Sequence, residues 1–152
     1  MFKLRRALLS LSLSLSLAPL LAAAQGAALP PQPAIKLTAG IHVITAEAVA
    51  NRETVMRGLM FRERLAPNHG MVFLYHEKST LCMWMRNTLI PLSVAFIDDD
   101  GTIVNVEDME PRTDASHCAR KPVRFALEME RGWFDKRGLK PGAKISGLQK
   151  PN

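Results

Sequence analysis

The chain has 152 residues, 20 of them basic and 14 acidic, for a formal net charge of +6. Three of the basic residues, Lys3, Arg5 and Arg6, fall in a leader, so the remainder carries +3, scattered rather than clustered. That distribution lacks the basic stripe with stacking aromatics on which nucleic acid binding normally depends.

Residues 1–24 read as a secretory signal peptide: a basic start, a serine-interrupted apolar stretch from Ala7 to Leu21, and an A-x-A site at Ala22 to Ala24. The apolar stretch falls short of the roughly 20 residues that span a bilayer, so cleavage is expected rather than anchoring. No cysteine stands beside the cleavage site to take a lipid. The expected location is periplasmic or exported, with no stable membrane insertion once the leader is removed. About 128 residues then remain, the size of one ordinary domain. Residues 25–34, with "LPPQP" from Leu29, read as an extended linker because proline fixes φ and removes donors. The domain proper is expected over 35–150, without internal repeats.

Along the domain, "IHVITAEA" from Ile41 alternates loosely as a strand. Asn51 is placed to cap a short helix in "RETVMRGL", where Val55 and Leu59 share a face. "MVFLY" from Met71 and "LSVAFID" from Leu92 are apolar on both faces, which predicts central strands. "TIVNVEDM" from Thr102 follows the hairpin signal Asp100-Gly101. In "VRFALEME", Val123, Phe125, Leu127 and Met129 point one way and Arg124, Glu128 and Glu130 the other. A second short helix in "RGWFDKR" is stopped by Gly138, and "AKIS" after Pro141-Gly142 predicts a last strand. Some six strands, two small helices and no alternating strand–helix units predict a mainly β fold. The expected form is a compact antiparallel β-sandwich or barrel-like single domain.

Six segments in order, "RGLMFRERL" (Arg57 to Leu65), "GMVF" (Gly70 to Phe73), "WMRNTLIPL" (Trp84 to Leu92), "FIDDDGTIV" (Phe96 to Val104), "MEP" (Met109 to Pro111) and "FALEME" (Phe125 to Glu130), resemble the domain of unknown function 192 family. The resemblance covers nearly all of the chain after the leader. It implies a small β-rich, sandwich-like domain, often exported, and brings no activity with it. At one position the chain departs from the pattern the resemblance implies: after "IPL" the family usually has an aspartate, where this chain has Ser93. That departure puts any role the carboxylate plays elsewhere in doubt for this chain.

The run "CMWMRNT", Cys82 to Thr88, is the most unusual in the sequence. By parity Cys82, Trp84 and Arg86 share one face of a strand, and Met83, Met85 and Asn87 the other. The structural reading is a central strand buried on both sides, with methionines as core fillers. The functional reading is that Arg86, Asn87 and Thr88 form a polar corner at the strand end, where binding groups are often held. Asn87 is equally a turn former. The soft ligands Cys82, Met83, Met85, His117 and Cys118 would suit copper(I), but a Cys82–Cys118 disulfide, the only pairing available in an exported chain, is favoured over metal.

Enzyme motifs are absent: the four histidines form no His-x-x-x-His pair, no serine sits in a nucleophile elbow, and no glycine-rich phosphate loop occurs. No cofactor is expected. Two function classes stand. The favoured one is a binding module for a small polar ligand or protein partner, with Arg57, Arg62, Trp84, Arg86, Asn87, Thr88 and Glu110 as candidate ligand contacts. The other is an enzyme whose acid–base groups lie among Asp108, Glu110 and Glu128.

Overall fold

The computed structural model describes residues 26–151; the leader expected over 1–24 lies outside the described residues. Within the described residues eight strands form, β1 (Ala34–Ala39), β2 (His42–Val49), β3 (His69–Ser79), β4 (Cys82–Met83), β5 (Leu92–Ile97), β6 (Ile103–Met109), β7 (His117–Cys118) and β8 (Val123–Glu130). One helix, α1 (Arg52–Arg57), follows β2, and a 3-10 turn runs over Asp135–Arg137. The fold is therefore mainly β. Six strands make one sheet in the order β1-β2-β3-β8-β5-β6, and β4 and β7 make a separate two-stranded sheet. Among the described residues no helix is long and apolar enough to cross a membrane.

Two details depart from the sequence expectation. β2 and β3 pair in parallel, so the large sheet is mixed rather than wholly antiparallel. A parallel pair needs a crossover of a dozen or more residues, and α1 with the loop after it supplies one. The sheet is also not a closed barrel. The "AKIS" segment makes no strand but two isolated bridges, Ser146 to Thr38 of β1 and Lys144 to Thr102 beside β6. It thus ties the two edges of the sheet without completing a ladder.

The sheet is covered on both faces. Leu37, Ile44, Val72, Ile97, Phe125, Leu127, Met129, Trp133 and Phe134 belong to one buried cluster. Leu59, Met71, Phe73, Met83, Met85, Val94, Phe96 and Ala126 belong to a second, over which α1 and the β4–β7 pair are laid. This is why β3 and β5 read as apolar on both sides. It also places the middle of β8 inside the protein on both faces: Ala126 and Glu128 are buried along with Phe125, Leu127 and Met129, while Arg124 is half-buried and Glu130 exposed.

The expectation for Cys82 to Met85 needs correction. The run is not a central strand buried on both sides. β4 has two residues, and burial alternates along the segment: Leu81, Met83 and Met85 are buried while Cys82, Trp84 and Arg86 are exposed. The parity was readable, but the segment lies on top of the second cluster instead of within the large sheet, so only one of its faces has anything to pack against.

Candidate functional site

The site is built around β8. Glu128 stands opposite Met71 of β3 on one side and Val94 of β5 on the other. Its carboxyl thus belongs to a row of apolar side chains and is 4% exposed. Gly70, next to Met71, lets β3 come this close: a methyl group there would run into the Glu128 carbonyl oxygen and the Met129 sulfur. Burial alone pushes the Glu128 carboxyl up to about 8. Neither a cation nor a hydrogen-bond donor acts to hold the charged form, which is the desolvation case of a raised carboxyl.

The carboxyl faces a cavity of about 90 Å³ between the sheet, α1 and β4. Val55, Leu59, Phe73 and Met83 give it apolar walls, and Tyr75, Thr88 and Glu128 its polar groups. α1 is positioned over it by Asn51, whose Oδ1 accepts from the Thr54 amide at 2.9 Å, and stopped by Gly58 at φ 46°. The Tyr75 phenol is raised above its ordinary value, first by burial and then by the Glu128 charge. Thr88 is 4% exposed, with its amide donating to the Met85 carbonyl at 3.0 Å. Cys82 also lines the cavity and is bonded to Cys118, its direct partner across β4 and β7. With both sulfurs in a disulfide, neither is available as a thiolate for a soft metal, and among the described residues no three His, Cys, Asp or Glu groups could hold one.

A wider groove of about 750 Å³ lies on the outer side of α1 against residues 27–30 and shares Met56, Arg57 and Met60 with the cavity. None of its lining residues is buried, so it presents no desolvated polar group to a ligand. The smaller cavity is the candidate site for that reason.

The residues singled out in the sequence divide into two sets. Arg57, Trp84 and Thr88 line the cavity, as does Glu128. Arg57 donates to the Ala27 carbonyl and lies over the Phe61 ring at 5.1 Å. Arg62, Arg86, Asn87 and Glu110 are not among the lining residues. Arg62 is paired with Glu47 of β2 at 2.9 Å. Arg86 stacks on Trp84 at 4.4 Å and donates to Asp114 at 2.8 Å. Asn87 is an exposed turn residue at φ 59° whose carbonyl accepts from the Phe61 amide. Glu110 pairs with Arg131 on another part of the surface. Asp108 accepts from Ser93, whose hydroxyl also accepts from the Gly132 amide at 2.8 Å. Of the three carboxyls considered as acid–base groups, Asp108 and Glu110 thus meet at Arg131, with Asp108 3.6 Å from its Nε, while Glu128 lines the cavity without them. Tyr75 and Phe73, which sequence reasoning did not single out as site residues, do line the cavity with Glu128.

The comparisons agree with this architecture. The family model of DUF192, described as "Uncharacterized ACR", matches residues 34–147. The chain belongs to the DUF192 family. Two solved structures are similar to this DUF192 domain. One, from Novosphingobium aromaticivorans DSM 12444 and of unknown function, is 31% identical with a TM-score of 0.74, over 82% of this chain and 94% of that one. The other, from Sinorhizobium meliloti 1021 and described as a candidate transcription regulator, is 35% identical with a TM-score of 0.69, over 73% of this chain and 89% of that one. No curated protein matches the chain.

Proposed function

We propose that this DUF192 protein is an exported binding module that takes a small polar ligand, or one polar group of a larger one, in the cavity beneath α1. The observation that carries the reading is Glu128: a carboxyl with no charge partner, buried against Met71 and Val94 and turned to a cavity. Burying such a group without a partner is costly, and a bound ligand is what would supply one. The cavity volume of about 90 Å³ is below the roughly 300–1,000 Å³ of drug-sized sites, so the ligand or its inserted group is small. Thr88 and Tyr75 offer hydroxyls to it, and Trp84 and Arg57 stand on its lining.

Export is part of the proposal. It rests on the leader sequence and is compatible with the Cys82–Cys118 disulfide, a bond that persists in oxidising compartments. A nucleic acid partner is not favoured. Lys78, Lys121, Arg124, Lys144 and Lys150 are engaged with Asp98, Asp99 and Asp100, which leaves no continuous basic stripe there.

A second reading, an enzyme with Glu128 as general acid or base, draws on the same carboxyl, because a group titrating near neutrality suits proton transfer. Mass spectrometry of small molecules retained by protein from its own periplasm tests the binding reading, with Glu128→Ala as the control. A retained compound lost in the variant supports binding. A compound converted by the wild type and not by Glu128→Gln would favour the enzyme. Identical retention by wild type and variant would set the site aside.

A further inference from the structure

We infer that the cavity receives a cationic group, a primary or methylated ammonium on a small ligand, with Glu128 as its counter-charge and the Phe73, Tyr75 and Trp84 rings among its walls. This rests on the binding reading above and names the class of ligand.

Three observations point to a cation over a neutral or anionic group. First, the carboxyl on the cavity lining is buried between Met71 and Val94, so a positive group entering the cavity is what would let it carry its charge there. An entering anion would instead oppose ionisation of this carboxyl. Second, three aromatic side chains, Phe73, Tyr75 and Trp84, line the same small space. Aromatic faces attract ammonium groups, and aromatic walls with a nearby carboxylate form a recurring setting for methylated amines. Met56, Met60 and Met83 add polarizable sulfur to the walls.

Third, among the described residues no cation is paired with Glu128. Arg57 of α1 and Tyr75 of β3 are the other titratable groups on the lining. Arg57 donates to the Ala27 carbonyl and lies over the Phe61 ring, and the Glu128 shift has burial as its cause. From β5, packed along the other side of β8, the residue opposite Glu128 is Val94. On β8 itself, Arg124 is paired with Asp99 at 3.0 Å. Arg86, stacked on Trp84, is engaged by Asp114.

An ammonium entering the cavity replaces the carboxyl proton, which leaves to solvent, so one positive charge is exchanged for another. Binding below about pH 8 therefore releases one proton, and the apparent Kd rises about tenfold for each pH unit on the acid side. The full chain, labelled with ¹⁵N, is titrated with n-butylammonium, 1-butanol and butyrate while the Gly58 and Thr88 amides are followed. The expected result is that n-butylammonium alone moves both amides, with Kd about tenfold weaker at pH 6 than at pH 7 and at least tenfold weaker in Glu128→Gln. Glu128→Gln keeps the shape of the protonated acid, so folding is retained. If 1-butanol or butyrate binds as well as the amine, or Glu128→Gln binds the amine unchanged, the cation inference is overturned and the binding reading stands. If none of the three moves either amide, both fall.

Discussion

Glu128 and Met71 are direct partners across the β3–β8 ladder, a carboxyl set beside a thioether in the interior of the sheet. The consequence is a pH-dependent destabilisation. An unfolded glutamate titrates near 4.5, whereas the folded one is held at about 8. Between those values the native state carries a proton that the unfolded state has lost, so stability falls as pH rises, by up to about 1.4 kcal/mol per unit. Below the lower value the group contributes nothing; above the higher one its full penalty is present. Glu128→Gln should therefore stabilise the protein by about 2–3 kcal/mol at pH 7 and flatten this part of its pH profile. Urea denaturation of both proteins at several pH values from 5 to 9 checks the direction.

Gly70 should tolerate no side chain. With the Glu128 carbonyl oxygen and the Met129 sulfur in the space a Cβ would occupy, Gly70→Ala has to push β3 from β8 or bend one of them. A loss of about 2 kcal/mol or more is expected, in the range of overpacked cores. A melting temperature equal to that of the wild type would contradict the register described.

Trp84 and Phe73 line the same cavity and should respond differently to truncation. Phe73 is 1% exposed and Trp84 36%. Phe73→Ala should cost about 3–5 kcal/mol, as for other buried aromatics. Trp84→Ala should cost well under that, about 1 kcal/mol, because its ring is partly exposed and stacks on the exposed Arg86 guanidinium at 4.4 Å. Chemical denaturation of the two variants side by side decides the order.

The Cys82–Cys118 bond joins residues 36 apart in sequence and holds together a sheet whose strands are two residues each. The chain-entropy model gives about 4 kcal/mol for a loop of this length. Cys82→Ser with Cys118→Ser should lower stability by that order. It should also loosen Trp84 and Met83 above the cavity before the large sheet opens, which hydrogen exchange would register. Uniform loss of protection across β3, β5 and β8 would speak against a locally pinned cover.

Much of this fold was legible in the chain. β8 coincides with the alternating run "VRFALEME", Asn51 caps α1 as read, and the two-sided apolar runs became β3 and β5 beside β8. β1 went unpredicted because "AIKLTA" is short and follows a proline-rich segment. The parallel β2–β3 pair was missed because its crossover helix has only six residues and leaves little periodicity to detect. The site was harder to see. The alternation in β8 puts Glu128 on its polar face, which holds only if the face opposite Phe125 and Leu127 meets water. The cue against that assumption was present: its neighbours "MVFLY" and "LSVAFID" are apolar on both sides, so a second layer had to cover β8 too. Tyr75 had no such cue, since which residues converge on a cavity depends on where α1 and β4 are laid.

The most direct test of this account is a ¹³C NMR titration of the Glu128 side-chain carboxyl in the folded protein. The account predicts a midpoint of about 8, and a shift of that midpoint to lower pH when an ammonium ligand is bound. A midpoint near 4.5, the ordinary value for a glutamate, would mean that the carboxyl is solvated or already paired and that the cavity is not built around it.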